Sequence, residues 1–151
     1  MKTKQQQTRS FVLLVALLAS VFATAADDSE ENGSWRLVNY WSEWCSPCRK
    51  EIPMLNALSE ELALNGVQLV GVNFDDDPRD VTLKIAKSLG INFPTLTREQ
   101  IIDSELPAPS VMPTTYIVSP ANEVAGTLIG LQSREQIVQR LSQLGLFSDK
   151  P

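Results

Sequence analysis

Residues 36–73 read RLVNYWSEWCSPCRKEIPMLNALSEELALNGVQLVGVN and carry the clearest structural pattern of the chain. Two short runs, Arg36–Trp41 and Val67–Asn73, are rich in Val, Leu and aromatic residues, which is typical of buried strands. Between them, apolar residues recur near helical spacing over Pro47–Asn65, and Gly66 is well placed to end that helix. The stretch therefore predicts a β-α-β unit with two parallel strands.

The rest of the chain extends this unit into a small mixed sheet. We predict a helix over Val81–Leu89 capped by Asp80, strands over Thr114–Val118 and Val124–Ile129 joined by a turn at Pro120–Asn122, and a last helix over Arg134–Leu144 opened by Ser133. Residues 97–110 contain Pro107 and Pro109, which mark a loop. The order β-α-β-α-β-β-α predicts an α/β fold, with one small mixed sheet and helices on both faces.

The N-terminal segment has the outline of a signal peptide. Three basic residues precede an apolar run, and Ala23–Ala25 supply a small-residue cleavage site. We predict a signal peptide over residues 1–25, a disordered polar leader over 26–34 and one domain over 35–151. An uncleaved membrane anchor is the alternative, because the uncharged stretch 10–26 is close to the length of about 20 apolar residues that spans a bilayer. In either case we expect the folded part outside the cytoplasm.

The composition narrows the chemistry that the chain can perform. The chain has 151 residues, of which 18 are acidic and 13 basic, so its formal net charge is −5. This acidic balance argues against a nucleic-acid partner. Histidine is absent from the sequence. Because histidine is the usual general base and the commonest metal ligand, we expect any catalysis to use cysteine or carboxylate groups.

The two cysteines of the chain, Cys45 and Cys48, lie where the first predicted strand meets the first predicted helix. The unpaired N–H groups of a helix N-terminus stabilise a thiolate and lower the pKa of the first cysteine. A disulfide between these residues closes a small ring that can open without refolding the chain, so redox exchange is the first hypothesis. A purely structural disulfide and a Cu(I) site that adds Met112 stay open as alternatives, whereas a zinc site lacks its four ligands.

The chain from about Leu37 to Leu144 resembles the TlpA/ResA/DsbE branch of the thioredoxin superfamily, whose members are exported thiol-disulfide oxidoreductases. The likeness rests on three motifs in the order of that family, LVNYWSEWCSPCRKEIPML, GVNFDDD and VMPTTYIV. It implies a thioredoxin fold, with Cys45 as the exposed attacking thiol and Cys48 as the resolving thiol.

The resemblance also implies roles for other residues. It makes Pro113 the cis-proline that faces the disulfide and orients the chain of the partner. It makes Glu51, one helical turn after Cys48, a group that assists proton transfer near the disulfide. A solvated helix glutamate is the alternative for Glu51. Asn39 stands where ordinary thioredoxins carry a buried aspartate, and this departure shifts the proton role toward Glu51.

Other side chains near the cysteines are candidates for contact or packing. Trp44 and Met112 are the candidate substrate contacts, although we expect packing to be most of the role of Trp41 and Trp44. We interpret the acidic run Asp75–Asp77 as a solvated loop in preference to a calcium site. Pro53, inside the first helix, matches a kinking proline of the superfamily.

The resemblance implies a periplasmic enzyme that reduces disulfides in exported proteins with cysteine pairs, among them proteins of cytochrome c maturation. It implies a membrane thiol-disulfide transporter as the electron donor, with an N-terminal membrane tether as an option. We expect a monomer that needs no cofactor and no metal. Two alternatives use the same cysteines, namely a disulfide-donating oxidase and a Cu(I) metallochaperone, and the reduction potential separates the oxidase from the reductase.

Overall fold

The computed structural model describes residues 33–147, so the predicted signal peptide and most of the predicted leader lie outside the described residues. The elements in chain order are β1 (Trp35–Trp41), α1 (Ser46–Leu64), β2 (Val67–Asn73), α2 (Arg79–Ser88), α3 (Arg98–Asp103), β3 (Thr114–Val118), β4 (Val124–Ile129) and α4 (Arg134–Gln143). The bounds of β2, β3 and β4 are those predicted, and β1 begins one residue earlier than predicted.

The four strands form one mixed sheet in the order β2-β1-β3-β4. β1 and β2 are parallel, as the β-α-β pattern predicts, whereas β3 is antiparallel to both β1 and β4. Trp41 pairs with Asn73 and Tyr40 pairs with Thr114. The carboxyl ends of β1 and β2 therefore meet the beginning of β3 at one end of the sheet, and the segment Cys45–Cys48 follows β1 at that end.

Alternate residues of β1 pack on opposite faces of the sheet. On one face, Leu37 and Trp41 join apolar side chains of α1, α2 and α4 in the larger core cluster. On the other face, Val38 and Tyr40 belong to a second cluster, against which Ile101 of α3 and several loop residues pack. Helices cover both faces of the sheet, as predicted, and on the second face the described helix is the short α3.

The start of α2 differs from the prediction. The N-cap residue is Pro78, so the predicted cap at Asp80 is wrong. Proline leads directly into a helix, because its ring holds φ near the helical value. Asp80 lies in the first turn instead, where its carboxylate pairs with Lys84 at 3.0 Å.

Residues 97–110, where Pro107 and Pro109 mark the predicted loop, also contain the six-residue helix α3, for which no prediction was made. Thr97 Oγ1 accepts a hydrogen bond from the Gln100 backbone N–H, and the Gln100 side chain accepts one from the Thr97 backbone N–H. This reciprocal pair is a capping box, and it stabilises the start of a helix. The spacing of Thr97 and Gln100 is visible in the sequence, but a helix of six residues is too short to show a clear apolar periodicity.

α1 carries the cysteines and is 19 residues long. Pro53 lies inside it on the exposed side, and the helix continues past this proline to Leu64. Gly66 follows the C-cap residue with φ of 74°, a conformation that favours glycine, so its predicted role at the end of the helix is confirmed. No helix within residues 33–147 combines the length and the apolar character of a membrane span.

Candidate active site

The two cysteines lie at the N-terminus of α1, as predicted, and are joined by a disulfide. Their Cα atoms are 5.2 Å apart. Cys45 is the N-cap residue, and its Sγ accepts a hydrogen bond from the backbone N–H of Cys48 at 3.2 Å. A thiolate on Cys45 has the same donor beside it and the partial positive charge of the helix end, and both stabilise the charged sulfur.

The two cysteines differ in their access to solvent. Cys45 is half-buried, whereas Cys48 is 1 % exposed and belongs to the larger core cluster. A reactant from outside therefore meets the sulfur of Cys45 before that of Cys48. Cys48 is placed to attack Cys45 from the protein side.

The turn between β1 and α1 holds a tryptophan outward. Trp44 is 82 % exposed, whereas Trp41 is fully buried. The prediction that packing is the main role is therefore confirmed for Trp41 and wrong for Trp44. Ser42 shapes the turn, because its Oγ accepts from the Trp44 N–H at 3.3 Å and its carbonyl oxygen accepts from the Cys45 N–H at 3.2 Å.

Glu51 is a buried carboxyl group, 2 % exposed, so the interpretation as a solvated glutamate is wrong. Its Oε1 accepts a hydrogen bond from Asn39 Nδ2 at 2.7 Å, and its Oε2 accepts one from the backbone N–H of Gln132 at 3.4 Å. Burial raises the pKa of the Glu51 carboxyl above its usual value, and the two hydrogen bonds oppose this rise. A group of this kind holds and releases a proton closer to neutral pH than an ordinary glutamate does.

Asn39 and Thr115 complete the buried polar layer between the sheet and α1. The two residues are cross-strand partners in β1 and β3, and Asn39 Nδ2 donates to Thr115 Oγ1 at 2.9 Å. Because an asparagine does not titrate, Glu51 is the ionisable member of this layer. Neither Thr115 nor Gln132 was predicted to belong to the site. The alternation of β3 places Thr115 on the face of α1 and offered a signal for it, whereas nothing in the sequence pointed to the backbone of Gln132.

The peptide bond between Met112 and Pro113 is cis, which confirms the isomer that the family resemblance implied. Pro113 is buried directly before β3, and its carbonyl oxygen accepts a hydrogen bond from the Gly130 N–H at 2.8 Å. The register of β3 against β1 places Pro113 at the same end of the sheet as the cysteines. Met112 is half-buried and packs against both apolar clusters.

The acidic run after β2 does not form a shared site. The carboxylates of Asp75–Asp77 take three different partners, which in chain order are Ser42, Arg98 and Asn73. In the part of the chain that the structure describes, no three His, Cys, Asp or Glu side chains converge as a group that could hold a metal ion.

A relative among curated proteins is the thiol-disulfide oxidoreductase ResA from Bacillus subtilis, which is 31 % identical over 111 residues. That alignment covers 72 % of this chain and 60 % of the relative. The chain spans 60–66 % of the length of the first curated relatives that it matches.

Solved structures share the fold of this chain. A thiol:disulfide interchange protein of the thioredoxin family from Chlorobium tepidum superposes with a TM-score of 0.59 at 24 % identity, over 79 % of this chain and 84 % of that one. A secreted thiol-disulfide isomerase from Corynebacterium glutamicum superposes with a TM-score of 0.58 at 25 % identity, over 74 % and 70 %. The fold is therefore the thioredoxin fold, as expected. A model of the AhpC/TSA family matches residues 22–127, and the chain belongs to this family.

Proposed function

We propose that the protein is a thiol-disulfide oxidoreductase that works through the Cys45–Cys48 pair. The observation that carries the proposal is the disulfide at the N-terminus of α1, with one accessible and one buried cysteine. The likeness to relatives named thiol-disulfide oxidoreductases supports it.

The proposed reaction runs through a mixed disulfide. The Cys45 thiolate attacks one sulfur of a substrate disulfide, and the other substrate sulfur leaves as a thiolate. The Cys48 thiolate then attacks Cys45 Sγ, and the second substrate sulfur leaves as a thiolate. Two electrons pass from the protein to the substrate, and the Cys45–Cys48 disulfide is the oxidised product.

Glu51 is the proposed proton acceptor for Cys48. A thiol attacks only after it loses its proton, and apolar surroundings disfavour the charged thiolate. Glu51 lies three residues after Cys48, one turn along the same helix, and both side chains are buried. Its raised pKa makes Glu51 a stronger base toward that thiol than an ordinary glutamate is.

Pro113, Trp44 and Met112 are the proposed contacts with the substrate. The exposure of Trp44 supports contact with a partner, because a large apolar side chain in water gains free energy when a partner covers it. The position of Pro113 directly before β3, at the same end of the sheet as the cysteines, supports a place beside the docked chain.

We further propose that the protein is exported, acts as a monomer in the periplasm and reduces exported proteins that carry cysteine pairs, including those of cytochrome c maturation. The signal-peptide outline at residues 1–25 and the likeness to a secreted isomerase support export. Since exported proteins lie beyond the cytosolic thiol reductants, a membrane thiol-disulfide transporter is the proposed source of electrons.

The reduction potential of the Cys45–Cys48 couple tests this function. The chain without its predicted signal peptide is equilibrated in dithiothreitol or glutathione buffers, and the fluorescence of the neighbouring Trp44 reports the redox state. We expect a value near or below that of thioredoxin, about −270 mV, together with reduction of a disulfide substrate. A value near about −120 mV would make the protein a disulfide donor and contradict the proposed direction. A couple that reacts with no disulfide substrate would contradict the function itself.

A further inference from the structure

Asn39 has a buried side-chain oxygen that no described residue pairs with. Its Nδ2 donates to Glu51 Oε1 at 2.7 Å and to Thr115 Oγ1 at 2.9 Å, whereas its buried Oδ1 has no hydrogen-bond partner among residues 33–147. Buried polar atoms are nearly always paired, because an unpaired one has lost its water without replacement. This oxygen belongs to the side chain that contacts Glu51. It can therefore accept a hydrogen bond if the contacts among Asn39, Glu51 and Thr115 rearrange.

Glu51 needs different partners in its two protonation states. A carboxylate only accepts hydrogen bonds, and Asn39 Nδ2 is the donor that it requires. A neutral carboxyl group also carries an O–H that needs an acceptor. If the Asn39 amide turns by half a rotation, Oδ1 takes the place of Nδ2 and accepts from that O–H. The Thr115 hydroxyl can both donate and accept, so it pairs with the amide in either orientation.

We propose that Asn39 is a positioning residue whose side-chain amide reverses when Glu51 gains or loses a proton, so that Glu51 stays hydrogen-bonded in both states. The inference rests on the proposed function, in which Glu51 exchanges a proton with Cys48.

The surroundings of Glu51 single out this amide. Glu51 is hydrogen-bonded to Asn39 from β1 and to the backbone N–H of Gln132 after β4, and Thr115 from β3 is bonded to Asn39. Cys48 lies one turn before Glu51 on α1. None of them carries a fixed charge, and the Gln132 N–H can only donate. Among the hydrogen-bond partners of Glu51, the Asn39 amide is therefore the group that can serve the neutral carboxyl as an acceptor.

The experiment uses the oxidised protein, because neither cysteine titrates in the disulfide. The titration of Glu51 can then be followed without that of the cysteines. NMR follows the Glu51 carboxyl carbon and the Asn39 side-chain amide hydrogens across pH. We expect nuclear Overhauser contacts from the amide hydrogens to Thr115 above the Glu51 midpoint and their loss below it. We expect no such loss in Glu51→Gln. Contacts that persist on both sides of the Glu51 midpoint in the unmodified protein would overturn the inference.

Two variants give a second readout. Asn39→Leu keeps the size of the side chain but neither donates nor accepts, so both forms of Glu51 lose a hydrogen bond. The bond to the charged form is the stronger of the two, so the Glu51 midpoint moves to higher pH. Thr115→Ser keeps the hydroxyl and serves as the matched control, in which the pH-dependent loss of contacts persists. An unchanged Glu51 midpoint in Asn39→Leu would also overturn the inference.

Turnover of a disulfide substrate is measured separately on the unmodified protein. Amide reversal without turnover would support this inference and refute the proposed function. Turnover with a fixed amide would refute this inference and leave the proposed function intact.

Discussion

The candidate site has two halves with opposite surroundings. The outer half, Trp44 and Cys45, lies in a turn and at a helix N-cap in contact with solvent. The inner half, Cys48, Glu51 and Asn39, lies between the sheet and α1, and each of these residues is at most 2 % exposed. Two cysteines only three positions apart thus have different environments, and the proposed division of labour between attack and resolution follows from that difference.

At this site the polarity of a side chain does not predict whether it is buried or exposed. The large apolar Trp44 is exposed, and the acidic Glu51 is buried, which inverts the usual preference of both residue types. Each inversion has a use in the proposed reaction. An exposed ring can meet a partner, and a buried carboxyl with a raised pKa can exchange a proton.

The largest expected effect concerns turnover. Both Cys45→Ser and Cys48→Ser should lose catalytic turnover of a disulfide substrate, because each removes one of the two thiols that the reaction needs. A single-turnover assay, which measures the thiol released from the substrate, distinguishes the outer cysteine from the inner one. Reduced Cys48→Ser should release thiol once through attack by Cys45, and Cys45→Ser should release none. Equal release by the two variants would break the distinction between outer and inner cysteine.

Stability should depend strongly on the inner tryptophan. Trp41 is fully buried, and its ring lies close to Gly71 and the core residue Phe93. Trp41→Ala should lower the free energy of unfolding by about 3–5 kcal/mol, because it leaves a cavity in the core. Urea denaturation measures the change. A loss below about 1 kcal/mol would show that Trp41 is less well packed than its burial indicates.

The pH dependence of stability should report Glu51. Its pKa in the folded protein is raised, so the folded state binds the proton more tightly than the unfolded state does. Stability from this group is therefore full below its unfolded pKa and falls as pH rises through the folded pKa, by at most about 1.4 kcal/mol per pH unit. Glu51→Gln should remove this fall, which urea titrations at several pH values measure.

Glu60→Gln is the matched control for that experiment, since it removes a carboxylate from the exposed side of the same helix. If Glu51→Gln and Glu60→Gln change the pH dependence equally, the buried position of Glu51 does not set its proton affinity.

The smallest stability effect is expected at the outer tryptophan. Trp44 is 82 % exposed, so Trp44→Ala should change the free energy of unfolding by no more than about 0.5 kcal/mol. The same variant should lower kcat/KM for a protein disulfide more than for a small disulfide, because only the protein is large enough to cover the ring. Equal effects on the two substrates would assign Trp44 no part in partner contact.

Much of the fold was predictable from local pattern. Apolar runs bounded by turn residues gave the strands, and Ser133 was correctly placed as the N-cap of α4, where it forms a capping box with Gln136. The failures have local causes. Pro78, and not Asp80, is the N-cap of α2, and α3 has only six residues, too few for a clear apolar periodicity.

The inner half of the site was less predictable. The sequence indicated Glu51 as a candidate, but its hydrogen-bond partners Asn39 and Gln132 lie 12 and 81 residues away in the chain. Thr115, which Asn39 contacts, lies 64 residues from Glu51. Such contacts depend on how α1 packs on the sheet, and the periodicity of the helix and strand sequences does not specify that packing. The outward turn of Trp44 depends likewise on the hydrogen bonds of Ser42.

Trapping of the mixed disulfide tests the central claim most directly. Reduced Cys48→Ser and Cys45→Ser proteins are each mixed with a peptide that contains a disulfide, and the products are identified by mass spectrometry before and after treatment with dithiothreitol. The account predicts a covalent adduct on Cys45 in the Cys48→Ser protein, released by dithiothreitol, and no adduct in the Cys45→Ser protein. An adduct on Cys48 in the Cys45→Ser protein, with none in the Cys48→Ser protein, would contradict it.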